Sequence, residues 1–322
     1  MSSQQLDSKN KKILYELSKN SRIPATRLAK TVGISREVAD YRIKNLITQG
    51  IITSFITDID ISALNCTRYL IYLELQKVNE TEETQILKTI TSNPYVSWTT
   101  SQTGKWNVIF DVIAKDISCV NTIVKDLKTH YSDKISDYKI ATQLEYRHYY
   151  SKYFGEEPKQ TTPIKPHNLD PLDLKLLNLL SKDARINYAK LSQILDLTAN
   201  TIKARIRTLQ AAGIIKRFTI QVNKPKLGYQ PYNLQLTFKD TTPGEAERFL
   251  KYIKSHPNVN FYYLPLGHWD LELGLFVKDP NHLRRIILDI RNKYSDIIKI
   301  YDCMIFYEEL KPNCVPVGAL TP

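Results

Sequence analysis

Two short runs of side chains, 163 residues apart, have the chemistry to read a nucleic acid. The first is Arg36, Glu37, Asp40, Tyr41 and Lys44; its counterpart is Ala199, Asn200, Lys203, Ala204 and Arg207. Spacings of three and four put each run on one helical face, opposite an apolar stripe that in the first copy is expected to be Val38, Ile43 and Leu46. Arg and Lys address guanine, Asn addresses adenine, and Glu accepts from the cytosine amino group. Ser35 and Thr198 stand just before the two runs, where a hydroxyl can cap a helix and contact a phosphate. Arg42 and Arg205 leave two readings open: phosphate contacts, or braces that cover apolar surface with their stems.

The elements that must hold these residues repeat along with them. Leu6-Asp7 recurs as Leu169-Asp170, Arg22-Ile23 as Arg185-Ile186, Arg42-Ile43 as Arg205-Ile206, and Gly50-Ile51-Ile52 as Gly213-Ile214-Ile215. The back of the repeat keeps the same offset, with Gly104 and Trp106 on Gly267 and Trp269. The chain is therefore a tandem duplication with almost no net insertion. Each copy opens with three helical patterns. Asp7-Ser8 offers a cap, Pro24 starts a second helix, and Gly33-Ile34-Ser35 is a turn into the third, which ends at Gly50. In the second copy Asp196 takes the turn position of Gly33, and Asp tolerates the left-handed region better than most residues. Helix, short turn, helix is the helix-turn-helix, whose last helix enters the major groove.

Charge divides in the same way. Residues 1–60 carry +4 and residues 169–226 carry +7, whereas 61–150 and 227–322 are balanced, within a total of +12. Two equivalent basic heads on neutral bodies point to a polyanionic partner at both heads.

After each head comes a short strand, over 51–56 in the first copy, which is expected to turn the chain away from the third helix. Then β-α-β-β-α-β patterns follow: helices near 81–92 and 117–131 with strands near 69–75, 96–102, 106–114 and 135–149, repeated near 232–307. Residues 155–168, with three prolines, read as a linker, and the Pro-containing end of the chain reads as a loose tail. The expected fold class is α+β: two tandem copies of a winged helix-turn-helix domain, each followed by a ferredoxin-like regulatory domain. The expected divisions are 1–60, 61–150, a linker at 151–168, 169–226, 227–310 and a tail at 311–322.

Several functions are not encoded in any recognisable way. There is no apolar run of about 18 residues, and Met1-Ser2-Ser3-Gln4-Gln5 lacks the basic and apolar pattern of a secretory leader. Cys66, Cys119, Cys303 and Cys314 are scattered and are expected to be reduced thiols in a cytoplasmic protein. No Gly-rich phosphate loop is present. The six histidines, among them His130, His148 and His268, have no metal-site spacing, so neither a metal nor a cofactor is implied.

The residues above resemble the Lrp/AsnC transcription regulators. The family's Arg-Ile-x-x-Leu-x-x-x-Gly-x-Ile signature stands here as Arg42-Ile43, Leu46, Gly50 and Ile52, and again as Arg205-Ile206, Leu209, Gly213 and Ile215. Leu28-Ala29 and Leu169-Asp170 match as well, and the likeness covers both copies, whereas most members have one. It implies a sequence-specific regulator of double-stranded DNA, responsive to an amino acid or similar metabolite, with no membrane partner. It further implies sheets paired face to face, within one chain as a pseudo-dimer or between chains as a homo-oligomer. By position the resemblance implies effector contacts at Ser101, Gly104, Trp106 and Asn107, and at Leu264, Gly267, Trp269 and Asp270. The acid that follows the glycine in the family is Lys105 or His268 here. Siroheme decarboxylases share the plan as paired, related subunits, and a fusion would mimic them. Their His-Asn-Tyr motif falls on Val96-Ser97-Trp98-Thr99 and Val259-Asn260-Phe261-Tyr262, without a histidine. The chain is accordingly expected not to be an enzyme.

Overall fold

The computed structural model describes residues 6–157, 165–311 and 315–321. Residues 158–164 of the expected linker, and 312–314 and 322 of the expected tail, lie outside the described residues.

The first head is α1 (Ser8–Lys19), α2 (Ala25–Val32) and α3 (Arg36–Thr48), and the second is α6 (Pro171–Lys182), α7 (Tyr188–Leu195) and α8 (Ala199–Ala211). Asp7, Ser35, Asp170, Asn187 and Thr198 each cap a helix by accepting from a backbone N–H inside it. The turns before α3 and α8 pass through left-handed residues, Gly33 at φ 74° and Asp196 at φ 52°. Each head closes on its own core: Ile13, Leu14, Leu17, Leu28 and Leu46 in one, Leu176, Leu177, Leu180, Ile202 and Leu209 in the other.

One expectation about α3 is corrected. Val38 is exposed, and the inward stripe is Ala39, Ile43 and Leu46. Those three are spaced four and three apart and share a face. Val38 sits one residue, about 100°, off that face.

The strand after each head does not lead away alone. β1 (Ile52–Ile59) pairs antiparallel with β6 (Ile215–Val222) of the other copy in a two-stranded sheet. Ile56 faces Thr219, its own equivalent at the 163-residue offset, so a pseudo-twofold axis passes through that pair. Contacts around the axis are reciprocal. Ser21 N–H donates to Phe218 O and Ala184 N–H to Phe55 O (2.9 and 3.1 Å). The Arg22 guanidinium lies over the Phe218 ring and that of Arg185 over Phe55 (5.4 and 4.9 Å). The repeated Arg-Ile pairs are thus contacts between the heads.

The regulatory halves are β2 (Thr67–Leu75), α4 (Glu80–Ser92), β3 (Val96–Gln102), β4 (Val108–Ala114), α5 (Ile117–His130) and β5 (Ile135–His148), then β7 (Gln230–Phe238), α9 (Pro243–Ser255), β8 (Val259–Leu266), β9 (Leu271–Val277), α10 (Pro280–Tyr294) and β10 (Ile298–Lys311). Their eight strands close into one barrel, in the order β10-β3-β4-β2-β5-β8-β9-β7. The two seams are equivalent: Phe306 faces Gln102 in one, Gln143 faces Pro265 in the other. Alternation along the strands sends Ile71, Leu73, Val108 and Phe110 outward beneath α4 and α5, and Leu70, Tyr72 and Ile109 into the lumen. Closure removes every free edge from this sheet.

The loose-tail expectation is corrected too. Val315, Ala319 and Leu320 are buried in the core of the second head, and Gly318 N–H donates to Pro94 O at 2.8 Å. Three apolar side chains in that segment complete a core that would otherwise face water.

Candidate nucleic-acid interface and barrel cavity

On α3 the side chains of Arg36, Glu37, Tyr41 and Lys44 are exposed, with Asp40 half-buried beside them; Arg36 Nε lies 3.7 Å from Asp40 Oδ2. On α8 Asn200, Lys203, Ala204 and Arg207 are exposed and no acid stands among them. Ser35 Oγ accepts from Val38 N–H and Thr198 Oγ1 from Thr201 N–H, both at 3.2 Å. The Thr198 hydroxyl also lies 2.8 Å from that of Thr201. The amide at Glu37 and the Ser35 hydroxyl hold the Glu37 carboxyl below its usual range, so it is an ionised acceptor at neutral pH.

Arg42 and Arg205 turn inward. Arg42 Nη1 donates to Asp7 Oδ2 and Asn10 Oδ1 (2.6 and 3.0 Å), and Arg205 Nη1 to Asp170 Oδ2 and Asp173 Oδ1 (2.8 and 2.7 Å). Of the two readings open for these arginines the geometry is that of a brace, tying the last helix of each head to the cap of the first.

The residues expected around the β3–β4 and β8–β9 turns divide. Trp106 and Trp269, from different copies, both converge edge-on on Tyr72, with centroids 6.5 and 4.8 Å away. Asn107 is committed to the Leu75 backbone, and Asp270 accepts from Phe238 N–H at 2.7 Å. Gly104 turns with φ 94°, beside the Met304 side chain. Ser101 is buried in β3 opposite Glu308, Leu264 is half-buried in β8 opposite Glu145, and Gly267 packs on Ala141. None of these eight residues is among the walls of the cavity described next.

A different constellation lies inside the barrel. Glu272, 1% exposed, takes donors from Tyr72 Oη, Trp269 Nε1, Gln235 Nε2 and Asn233 Nδ2 at 2.7–3.1 Å. Burial outweighs these donors and pushes its carboxyl up. Asp111, also 1% exposed, pairs with Arg68 and accepts from Ser97 and Trp98 N–H. Beside them a cavity of about 450 Å³ opens between the barrel and the β1–β6 sheet, with Arg68, Trp98, His148, Lys224 and Glu309 among its walls. His148 Nδ1 is buried without a hydrogen-bond partner among the described residues. Burial and the nearby Lys224, Arg217 and Arg68 hold its imidazole well below its usual pKa, so it is neutral. The signal for this site was in the sequence: one acid in each otherwise apolar strand, Asp111 in Val108–Ala114 and Glu272 in Leu271–Val277. Lone acids in buried strands need partners, and that cue points to the lumen.

Among the described residues no group of three or more His, Cys, Asp or Glu is placed to hold a metal ion, and no helix is long and apolar enough to cross a membrane.

A family model of winged helix-turn-helix DNA-binding domains matches residues 6–53 and 169–216. The HTH-type transcriptional regulator LrpA of Pyrococcus abyssi is 30% identical over 143 residues, which are 44% of this chain and 99% of that protein. The HTH-type transcriptional regulator LrpC of Bacillus subtilis is 35% identical over 101 residues, 31% of this chain and 67% of that protein. Among solved structures, the siroheme decarboxylase NirDL aligns with 97% of this chain and 96% of its own, at a TM-score of 0.66 and 15% identity. That likeness speaks for the fold alone. It still corrects the expectation that this is not an enzyme: the two-copy architecture is one on which catalysis occurs, so the fold gives no ground for excluding it.

Proposed function

The chain belongs to the Lrp/AsnC family of transcription regulators, and on that premise we propose that it reads two unequal half-sites of double-stranded DNA with α3 and α8 and is responsive to a small molecule. The observation that carries the reading is the pairing of charge with exposure. The +4 and +7 excesses lie in the two heads, and the outward faces of α3 and α8 present the side chains suited to base edges and phosphates. The β1–β6 sheet and the reciprocal arginine contacts tie the heads into a pseudo-dimer, so their relative placement is a property of one chain. The copies differ where they would meet DNA: Glu37 and Asp40 on one face, Asn200 and Lys203 at the equivalent places on the other.

Selection of bound fragments from a random DNA pool at stated salt tests this reading. It predicts two distinct half-sites at a constant spacing, near one helical turn of about 34 Å or a multiple of it. Enrichment of no sequence, or of one symmetric palindrome, overturns it.

A second, catalytic reading is favoured by one observation, the full-length likeness to a siroheme decarboxylase. Its check is a spectral titration with the iron-uroporphyrin III analogue that the structure of that enzyme contains. Saturable binding and loss of carbon dioxide from a sirohaem substrate would replace the regulator reading.

A further inference from the structure

Val38 and Tyr41 of α3 carry an apolar branch and an aromatic ring, yet they are 41% and 69% exposed. The core has no use for them, because Ala39, Ile43 and Leu46 are the residues that α3 turns inward. The two are three positions apart, so they are neighbours on the helix surface. Both lie in the first two turns of α3 (Arg36–Thr48), the part of a recognition helix that enters the major groove. Ile47 is exposed as well, but it stands in the last turn, about 180° around the helix from Val38.

The second copy does not repeat this patch. Its equivalents at the 163-residue offset are Thr201 and Ala204. The Thr201 hydroxyl lies 2.8 Å from that of Thr198, which ties the side chain to the helix cap. Ala204 offers a single methyl group close to the backbone. The outward residues of α8 are instead Asn200, Lys203 and Arg207, whose groups suit the purine edges of adenine and guanine.

Of the four bases, only thymine shows an apolar group in the major groove, its 5-methyl. The branched Val38 side chain and the Tyr41 ring can cover such a methyl. Glu37 stands beside them, exposed, and a carboxylate there accepts from the cytosine amino group, on the same pyrimidine edge of a base pair. The chemistry of the first head is thus that of pyrimidine edges, and the chemistry of the second that of purine edges.

We propose that α3 selects thymine in its half-site by covering the 5-methyl group with Val38 and the Tyr41 ring. This contact rests on the regulator reading and gives the inequality of the two half-sites a chemical content.

The test measures fluorescence anisotropy of the full chain on a duplex that it selects from a random pool, at fixed salt. Each thymine in turn is replaced by deoxyuridine, which removes the 5-methyl and keeps every hydrogen-bonding group. At one thymine or more, the replacement should weaken wild-type binding about fourfold, or about 0.8 kcal/mol, as for one buried methyl-sized group. Val38→Ala combined with Tyr41→Ala should bind the thymine and uracil duplexes alike. Each single alanine variant should lose part of the difference, and Tyr41→Phe, which keeps the ring, should retain it. Lys203→Ala with Arg207→Ala should weaken binding and leave the thymine-to-uracil difference at about fourfold. A selected site in which no replacement weakens binding overturns the methyl contact alone. So does a difference that the double variant at Val38 and Tyr41 keeps, since other residues would then read the methyl. A chain that selects no sequence overturns the regulator reading, and the contact with it.

Discussion

Lys203 and Arg207 stand free of acids on α8, whereas Arg36 shares its charge with Asp40 on α3. An arginine already facing a carboxylate gives a phosphate less than a free one does. Replacing Lys203 and Arg207 by Ala is therefore expected to cost more DNA affinity than replacing Arg36 and Lys44. Each lost phosphate contact should also lower the salt slope by about one. Equal losses in fluorescence anisotropy across a salt series would sink this ranking. The inward arginines predict a stability effect instead. Arg205→Ala leaves Asp170 and the nearly buried Asp173 without their cation and should destabilise by about 1–3 kcal/mol in denaturant unfolding. Arg42→Ala should cost less, because its second partner is the neutral Asn10 where Arg205 has the nearly buried Asp173. Glu272 predicts a pH effect. Its folded carboxyl is raised above the ordinary 4.5 by burial, so the folded state holds the proton more tightly than the unfolded one. That contribution is present below 4.5 and is lost as pH rises through the folded value. Compared with wild type, Glu272→Gln should lack this fall, which paired melts across the acid range would reveal. Identical slopes would refute the assignment.

At the scale of elements, the β1–β6 sheet is the joint of the molecule. One strand from each copy pairs about Ile56 and Thr219, and the same strands face a head core on one side and the cavity on the other. The Thr219 hydroxyl donates to Ser18 O at 2.8 Å, anchoring the sheet to the end of α1. Thr219→Val keeps the β-branched shape and leaves that carbonyl without its side-chain donor. It should lower stability by about 1 kcal/mol while the recognition helices keep their own side chains. If the joint sets the placement of the heads, this variant will bind isolated half-sites as wild type does but lose preference for their native spacing. Unaltered spacing preference would show that the heads are positioned by something else.

At the scale of the whole molecule, the barrel is closed and both seams lie within one chain. Among the described residues the halves are held together, besides the peptide chain, by two barrel seams, by the two-stranded sheet, and by the segment 315–320 of the second half, whose Gly318 N–H donates to Pro94 O of the first. A chain cleaved at a protease site inserted within 158–164 should therefore elute as one particle of unchanged size, and separate only in denaturant. Separation under native conditions would contradict the pairing.

Much of this was legible in the linear chain because it rests on local rules. The 163-residue offset, the capped helices of the heads, the left-handed Gly33 and Asp196, and the β-α-β-β-α-β order follow from periodicity and turn chemistry that act within a few residues. The charged faces of α3 and α8 were legible for the same reason, although the pattern alone favours Val38 where Ala39 faces inward, since one position of phase is the limit of such a stripe. Tertiary structure decided what depends on residues far apart. The strand after each head is paired by a partner some 160 residues away, and the inward turn of Arg42 and Arg205 is set by acids 35 residues earlier. The turn residues expected to meet an effector lie apart from the cavity walls, and their two tryptophans converge on Tyr72. The cavity exists only once both copies close around the axis, because residues of both copies line it.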